Sequence, residues 1–198
     1  MKEFIIATNN AHKVVEIERI LSPLGITAVT AGERGIDLGN VVEDGDSFAA
    51  NAYIKAKHAF DLCHSPVIAD DSGLCVDALD GAPGTLSARW AGVHGDDAAN
   101  NQKLLAQMED VPDGERSARF HSTVVLVERG EAGERILAGN GDCEGSIARD
   151  LRGTGGFGYD PLFELADVPG TRMAELTPEQ KNALSHRRRA LDDLATKL

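Results

Sequence analysis

Asp70-Asp71-Ser72-Gly73 stands between two apolar runs, Val67-Ile68-Ala69 and Leu74-Cys75-Val76. The pattern predicts a strand, a polar break and a second strand, with two carboxylates and a hydroxyl exposed on a tight turn at a sheet edge. Such a group of hard oxygens suits Mg²⁺, which takes carboxylates, water and phosphate oxygens. Asp, Ser and Gly are also ordinary turn residues, so these four positions alone support turn chemistry and a metal site to the same degree.

Cations able to meet phosphate occur at two further places. Thr8-Asn9-Asn10 precedes a helical pattern (Val14, Ile17, Leu21, Leu24) and supplies capping side chains where helical amides are free, with Lys13 one turn in. A helix N-terminus with a lysine is an anion site, although a plain N-cap beside a solvated lysine has the same sequence. Glu43-Asp44-Gly45-Asp46 leads to Ser47, the expected cap of a helix reaching about Leu62. On that helix Asn51 and Lys55 share a face.

Gly153-Thr154-Gly155-Gly156-Phe157-Gly158-Tyr159-Asp160-Pro161 matches GxGxxG, but it runs into Tyr-Asp-Pro instead of opening a helix, which excludes a dinucleotide fingerprint. What remains is a loop allowing close backbone approach, with Phe157 and Tyr159 able to stack on a base or to pack inward. Ser185-His186-Arg187-Arg188-Arg189 opens the last helix, where cations oppose the helix dipole and so invite a functional explanation.

The elements that position these groups alternate. Phe4–Ala7 is a strand, the first helix ends at Gly25, and Ile26–Thr30 is the next strand, giving an α/β opening. Asp96-Asp97 caps a helix to about Met108, and Arg119–Val127 with Arg135–Ala138 form an antiparallel pair, so the sheet is mixed. Trp90, the single tryptophan, falls in a loop as a packing anchor.

The 198 residues, 42% of them hydrophobic, suffice for one domain over 1–198. Met1–Phe4 leads directly into a strand without a signal-peptide apolar region, and no run is long enough to span a bilayer, which predicts a cytoplasmic protein without a membrane partner. The net charge of −12 argues against a nucleic acid partner, whose binding needs many Lys and Arg. A small phosphorylated ligand would need a local cationic pocket, a metal ion, or both. Cys63, Cys75 and Cys143 lack metal or redox spacing and read as buried thiols.

Five stretches, in order, resemble the non-canonical purine nucleoside triphosphate pyrophosphatase family, the inosine/xanthosine triphosphatase or Ham1-like family. They are Thr8–Lys13, Asn51-Ala52-x-x-Lys55-Ala56, Ala69–Leu74, Gly153–Pro161 and Ser185-His186-Arg187. The resemblance implies a two-lobed α/β fold with a long mixed β-sheet flanked by helices, an active-site cleft between the lobes, and a homodimer. It implies Mg²⁺-dependent hydrolysis of ITP, dITP or XTP to the monophosphate and pyrophosphate. By position, Thr8, Asn9, Asn10, Ala11, His12, Lys13, Lys55 and Ser72 would hold the triphosphate. Phe157, Gly158, Tyr159, Asp160, Lys181, His186 and Arg187 would hold the base. Asp71 would act as catalytic base or metal ligand, with Glu43 completing the metal site. The chain departs from the family pattern at Ala50, Leu86 and Arg188, where a glutamate, an aromatic and a glycine are usual. A non-hydrolysing nucleotide sensor would not need the acids, and a related pyrophosphatase for another modified nucleotide would share the fold.

Overall fold

The computed structural model describes residues 2–8 and 10–198. Among these, six strands form one mixed sheet in the order β2-β1-β3-β4-β5-β6. They are β1 (Lys2–Ile6), β2 (Ile26–Thr30), β3 (Val67–Val76), β4 (Ser117–Gly130), β5 (Gly133–Ile147) and β6 (Phe163–Leu165). β1 pairs in parallel with β2 and β3, whereas β6 runs antiparallel to β5. The helices are α1 (Ala11–Leu21), α2 (Phe48–Cys63), α3 (Asp97–Gln107), α4 (Pro178–Leu184) and α5 (His186–Ala195). Packing divides the chain into two compact units: residues 1–71, 122–141 and 186–198, and residues 72–121 and 142–185.

In the first unit, strand alternation sends Phe4, Ile6 and Ile68 to one face and Ile5, Val67 and Ala69 to the other. The first set packs against Ile17 and Ile20 of α1 and Ala190, Leu191 and Leu194 of α5. The second packs against Ala52, Ala56, Ala59 and Phe60 of α2. Burial on both faces explains why Phe4–Ala7 is apolar without alternation.

β3 corrects the expectation of two strands joined by a turn. It runs unbroken from Val67 to Val76, so Asp70-Asp71-Ser72-Gly73 is strand. The expected exposed edge is also overturned, because β3 lies between β1 and β4 and Asp70 and Asp71 are only 1% and 7% exposed. Tertiary pairing of the two acids overrides their poor strand propensity.

β5 extends well beyond the expected Arg135–Ala138. Gly139 and Gly141 disguised the extension, since glycine weakens a strand pattern. Their role is close approach: a Cβ on Gly139 would strike the Ala190 carbonyl and Leu194, and one on Gly141 would strike the Ala190 amide and the His186 carbonyl. Helix α5 therefore rests its backbone directly on β5.

The second unit has its own core, in which Leu74, Val76 and Phe120 meet Leu104 and Met108 of α3 together with Phe163 and Leu165 of β6. Asp96 caps α3 by accepting the Ala99 amide at 3.0 Å. Trp90 anchors against α3, its Nε1 donating to Gln107 at 3.1 Å and Lys103 lying 4.0 Å above the ring.

Replacing Gly141 with valine should cost about 3 kcal/mol, because the collision is with helix backbone that cannot rotate away. Urea unfolding checks this, with Gly114→Ala, where a Cβ meets open space, as a control expected to stay within about 0.5 kcal/mol of wild type.

Candidate active site

Successive strand residues point to opposite faces, so Asp70 and Asp71 serve different neighbours. Asp70 lies on the face of Ile68. There Lys13 of α1 reaches Oδ2 at 2.8 Å and Arg187 of α5 reaches it at 3.1 Å, while the Ser122 hydroxyl donates to Oδ1. Arg187 is fully buried and also pairs with Glu16 of α1. Burial opposes ionisation of Asp70, but the charges of Arg187 and Lys13, with the Lys13 and Ser122 hydrogen bonds, outweigh it and hold the carboxyl well below its usual range. Burial likewise works against the Arg187 charge, and Asp70 and Glu16 overcome it.

Asp71 lies on the α2 face, where Lys55 Nζ donates to Oδ1 at 2.9 Å and to Glu43 Oε2 at 2.8 Å. Glu43 is delivered by a tie between its loop and the helix, since the Gly45 amide donates to Asn51 Oδ1 at 2.9 Å. Burial pushes the Asp71 carboxyl above its usual range despite the opposing charges of Lys55 and Lys13. For Lys55, burial favours the neutral amine, but Asp71 and Glu43 outweigh it and raise the pKa. Asp71 Oδ2 is buried without a hydrogen-bond partner. Glu16, Glu43, Asp70 and Asp71 together outnumber the cations Lys13, Lys55 and Arg187 that they pair with. A polyanion could approach only with further positive charge.

At the start of α1, Asn10 Oδ1 accepts the His12 and Lys13 amides at 2.9 and 3.3 Å, and Thr8 Oγ1 accepts the Asn10 amide at 3.2 Å. The helix end expected to bind an anion is thus capped from within. Asn9 lies outside the described residues. Ala11 and His12 are exposed, and Ser72 follows in β3, half-buried.

In the second unit, the glycine loop is held by its own acid. Asp160 Oδ2 accepts the Phe157 amide at 2.9 Å and the Lys181 ammonium of α4 at 2.8 Å, and the ammonium lies 4.4 Å over the Phe157 ring. A side chain at Gly156 would collide with the Asp160 carboxylate. The two aromatics separate here. Phe157 is half-buried, whereas Tyr159 is 3% exposed in the core and its hydroxyl donates to the Ser87 carbonyl at 2.9 Å. Burial pushes the Tyr159 phenol far above its usual range. A cavity of about 510 Å³ opens beside the loop, lined in part by Asn101, Leu105, Leu151, Gly155, Phe157 and Pro161.

Residues 4–197 match the model of the Ham1 family. The chain belongs to that family. The dITP/XTP pyrophosphatase of Clostridium perfringens is 47% identical over 204 residues, covering 100% of this chain and 98% of that protein. The dITP/XTP pyrophosphatase of Corynebacterium urealyticum is 45% identical, covering 99% and 96%. Among solved structures, a HAM1 protein from Coxiella burnetii superposes with a TM-score of 0.86 at 41% identity, covering 100% of this chain and 98% of that one. The Staphylococcus aureus Ham1 protein gives a TM-score of 0.84 at 36% identity, covering 99% and 97%.

Within this Ham1-family chain, Lys13 is brought to Asp70, Glu43 and Lys55 are brought to Asp71, and Phe157, Asp160 and Lys181 are brought to one another. Arg187, expected at the base, belongs in the first unit to the Asp70–Glu16 network, and His186 is buried beside it in α5. Glu16 and Ser122 escaped sequence reasoning although each left a signal. Glu16 stands one helical turn after Lys13 beside the buried Ile17, and Ser122 interrupts the same-face series Phe120, Val124 and Leu126. Of the departures from the family pattern, Ala50 has its amide accepted by Ser47, Arg188 pairs with Asp192 at 2.8 Å, and Leu86 is exposed.

Arg187→Met should destabilise the protein by about 3–5 kcal/mol, since it takes the buried guanidinium from Glu16 and leaves Asp70 with Lys13 alone of its two cations. Chemical denaturation tests the loss. Adding Glu16→Gln to the variant should return part of it, and no recovery would show that Glu16 is not paired.

Proposed function

We propose that this protein hydrolyses non-canonical purine nucleoside triphosphates, such as ITP, dITP and XTP, to the monophosphate and pyrophosphate. The observation that carries the reading is Asp71, a buried carboxylate with one oxygen bonded to Lys55 and the other without a partner, facing an ammonium that also holds Glu43. The likeness to dITP/XTP pyrophosphatases at 45% and 47% identity supports the substrate class.

Glu43 and Asp71 fit a hard divalent cation such as Mg²⁺, given the orphaned oxygen and the surplus of carboxylates around it. Among the described residues no group of three or more His, Cys, Asp or Glu could hold a metal unaided, so the remaining ligands would be water and phosphate oxygens. When bound, the ion supplies charge neutralisation at the phosphates. Lys13 and Lys55 clamp phosphate oxygens once the triphosphate competes with their carboxylate partners. Asp71 orients a water for in-line attack on the α-phosphorus and takes its proton. Asp70 stays ionised and holds Lys13 in place.

For the base, Phe157 offers a stacking ring and Lys181, 4.4 Å over that ring, offers a donor to the 6-oxo group. Adenine presents an amino group instead, and a buried donor left unpaired discriminates by up to about 10⁴-fold. The family resemblance further supports a homodimer acting on the cytoplasmic nucleotide pool. No helix among the described residues is long and apolar enough to cross a membrane.

Turnover of ITP or XTP should release pyrophosphate, cease with EDTA and return with Mg²⁺. Orthophosphate as the first product would refute attack at the α-phosphorus. Asp71→Asn should lower kcat by about 10²–10⁴-fold, and turnover near the wild-type rate would remove Asp71 from catalysis.

A further inference from the structure

Two side chains of α3 bind both backbone groups of a single loop residue. Asp97 Oδ2 accepts the Gly158 amide at 2.7 Å, and Asn101 Nδ2 donates to the Gly158 carbonyl at 2.8 Å. Asp97 and Asn101 are four residues apart, which places them on the same face of the helix. The orientation of the Asn101 amide is decided by its surroundings. Nδ2 also donates to the Asp97 carbonyl at 2.8 Å, and a flipped amide would set its oxygen against two carbonyls. Asn101 is 5% exposed, and its Oδ1 is left buried without a partner. That arrangement is costly for a side chain whose only task is to fill space.

Gly158 has φ +62°, a conformation that side-chain-bearing residues adopt rarely, so its amide and carbonyl point in directions the loop would not hold unaided. The cavity beside residues 153–157 means that this part of the loop is not held by packed side chains on that side. Hydrogen bonds must do what packing does elsewhere. Phe157 immediately precedes the clamped residue, and its own amide is fixed by Asp160.

We propose that Asp97 and Asn101 are positioning residues for base recognition, acting through Gly158 to fix the Phe157 ring and the Asp160–Lys181 pair. This rests on the assignment of Phe157 and Lys181 to the base, and it adds two residues whose effect is carried by their hydrogen bonds to Gly158. Their removal loosens the base end while the phosphate end stays intact.

The test compares Asp97→Ala, Asp97→Asn and Asn101→Leu with wild type, using ITP turnover and inhibition by inorganic tripolyphosphate, which has no base. Asp97→Ala and Asn101→Leu should each raise the KM for ITP about tenfold with kcat within about threefold. Tripolyphosphate inhibition should be unchanged, which also shows that the variants are folded. Asp97→Asn, whose amide oxygen can still accept the Gly158 N–H, should recover most of the KM. A KM within twofold of wild type in Asp97→Ala overturns the proposal, as does a parallel loss of tripolyphosphate inhibition in both Asp97→Ala and Asn101→Leu. Wild-type protein that releases no pyrophosphate from ITP would instead refute the function on which the proposal rests.

Discussion

A carboxylate enclosed within a sheet must find a cation or lose its charge, and Asp70 finds Arg187. The other contacts of the first unit follow from that pairing. Arg187 is itself fully enclosed, so it needs the second carboxylate, Glu16, and Glu16 lies on α1 in reach of the same strand. Helix α5 can bring Arg187 there because Gly139 and Gly141 let its backbone settle on β5. Lys13 then completes the neutralisation of Asp70, so the ammonium proposed for the phosphates is aimed by the same network that buries Arg187.

The pleat of β3 separates what adjacency in sequence suggested was one cluster. Asp70 faces α1 and α5, and Asp71 faces α2, so the two lysines assigned to the phosphates come from opposite faces of the sheet. The two carboxylates are also driven in opposite directions. Two cations hold Asp70 ionised, whereas burial outweighs the lysine charges at Asp71 and raises its pKa. Consecutive residues of one strand therefore carry one carboxyl pushed down and one pushed up.

Much of this was legible in the sequence, and where it was not, the reason was tertiary. The strand–helix–strand opening, the Ser47 and Asp96 caps and the termination at Gly25 rest on local chemistry and were readable. The continuity of β3 was hidden because Asp-Asp-Ser-Gly has turn composition, and only partners distant in sequence, Lys13, Lys55 and Arg187, make it acceptable as strand. The length of β5 was hidden because its glycines are explained by a helix some fifty residues away. Of the residues proposed to act on the substrate, Lys13, Lys55, Asp71 and the Phe157–Asp160 loop stood out by residue type and motif. The charges of the Ser185–Arg189 run did invite explanation, but their purpose at Arg187 is to balance Asp70 and Glu16, which no local pattern could reveal.

The unbroken course of β3 also constrains how this chain can diverge. A substitution along the strand leaves the facing of the other residues unchanged, but inserting or deleting a single residue between Val67 and Asp70 would turn the strand over, exchanging the faces on which Asp70 and Asp71 lie. The segment between Arg34 and Asp46, by contrast, has no ladder to keep in step and can change length so long as Glu43 still arrives at Lys55.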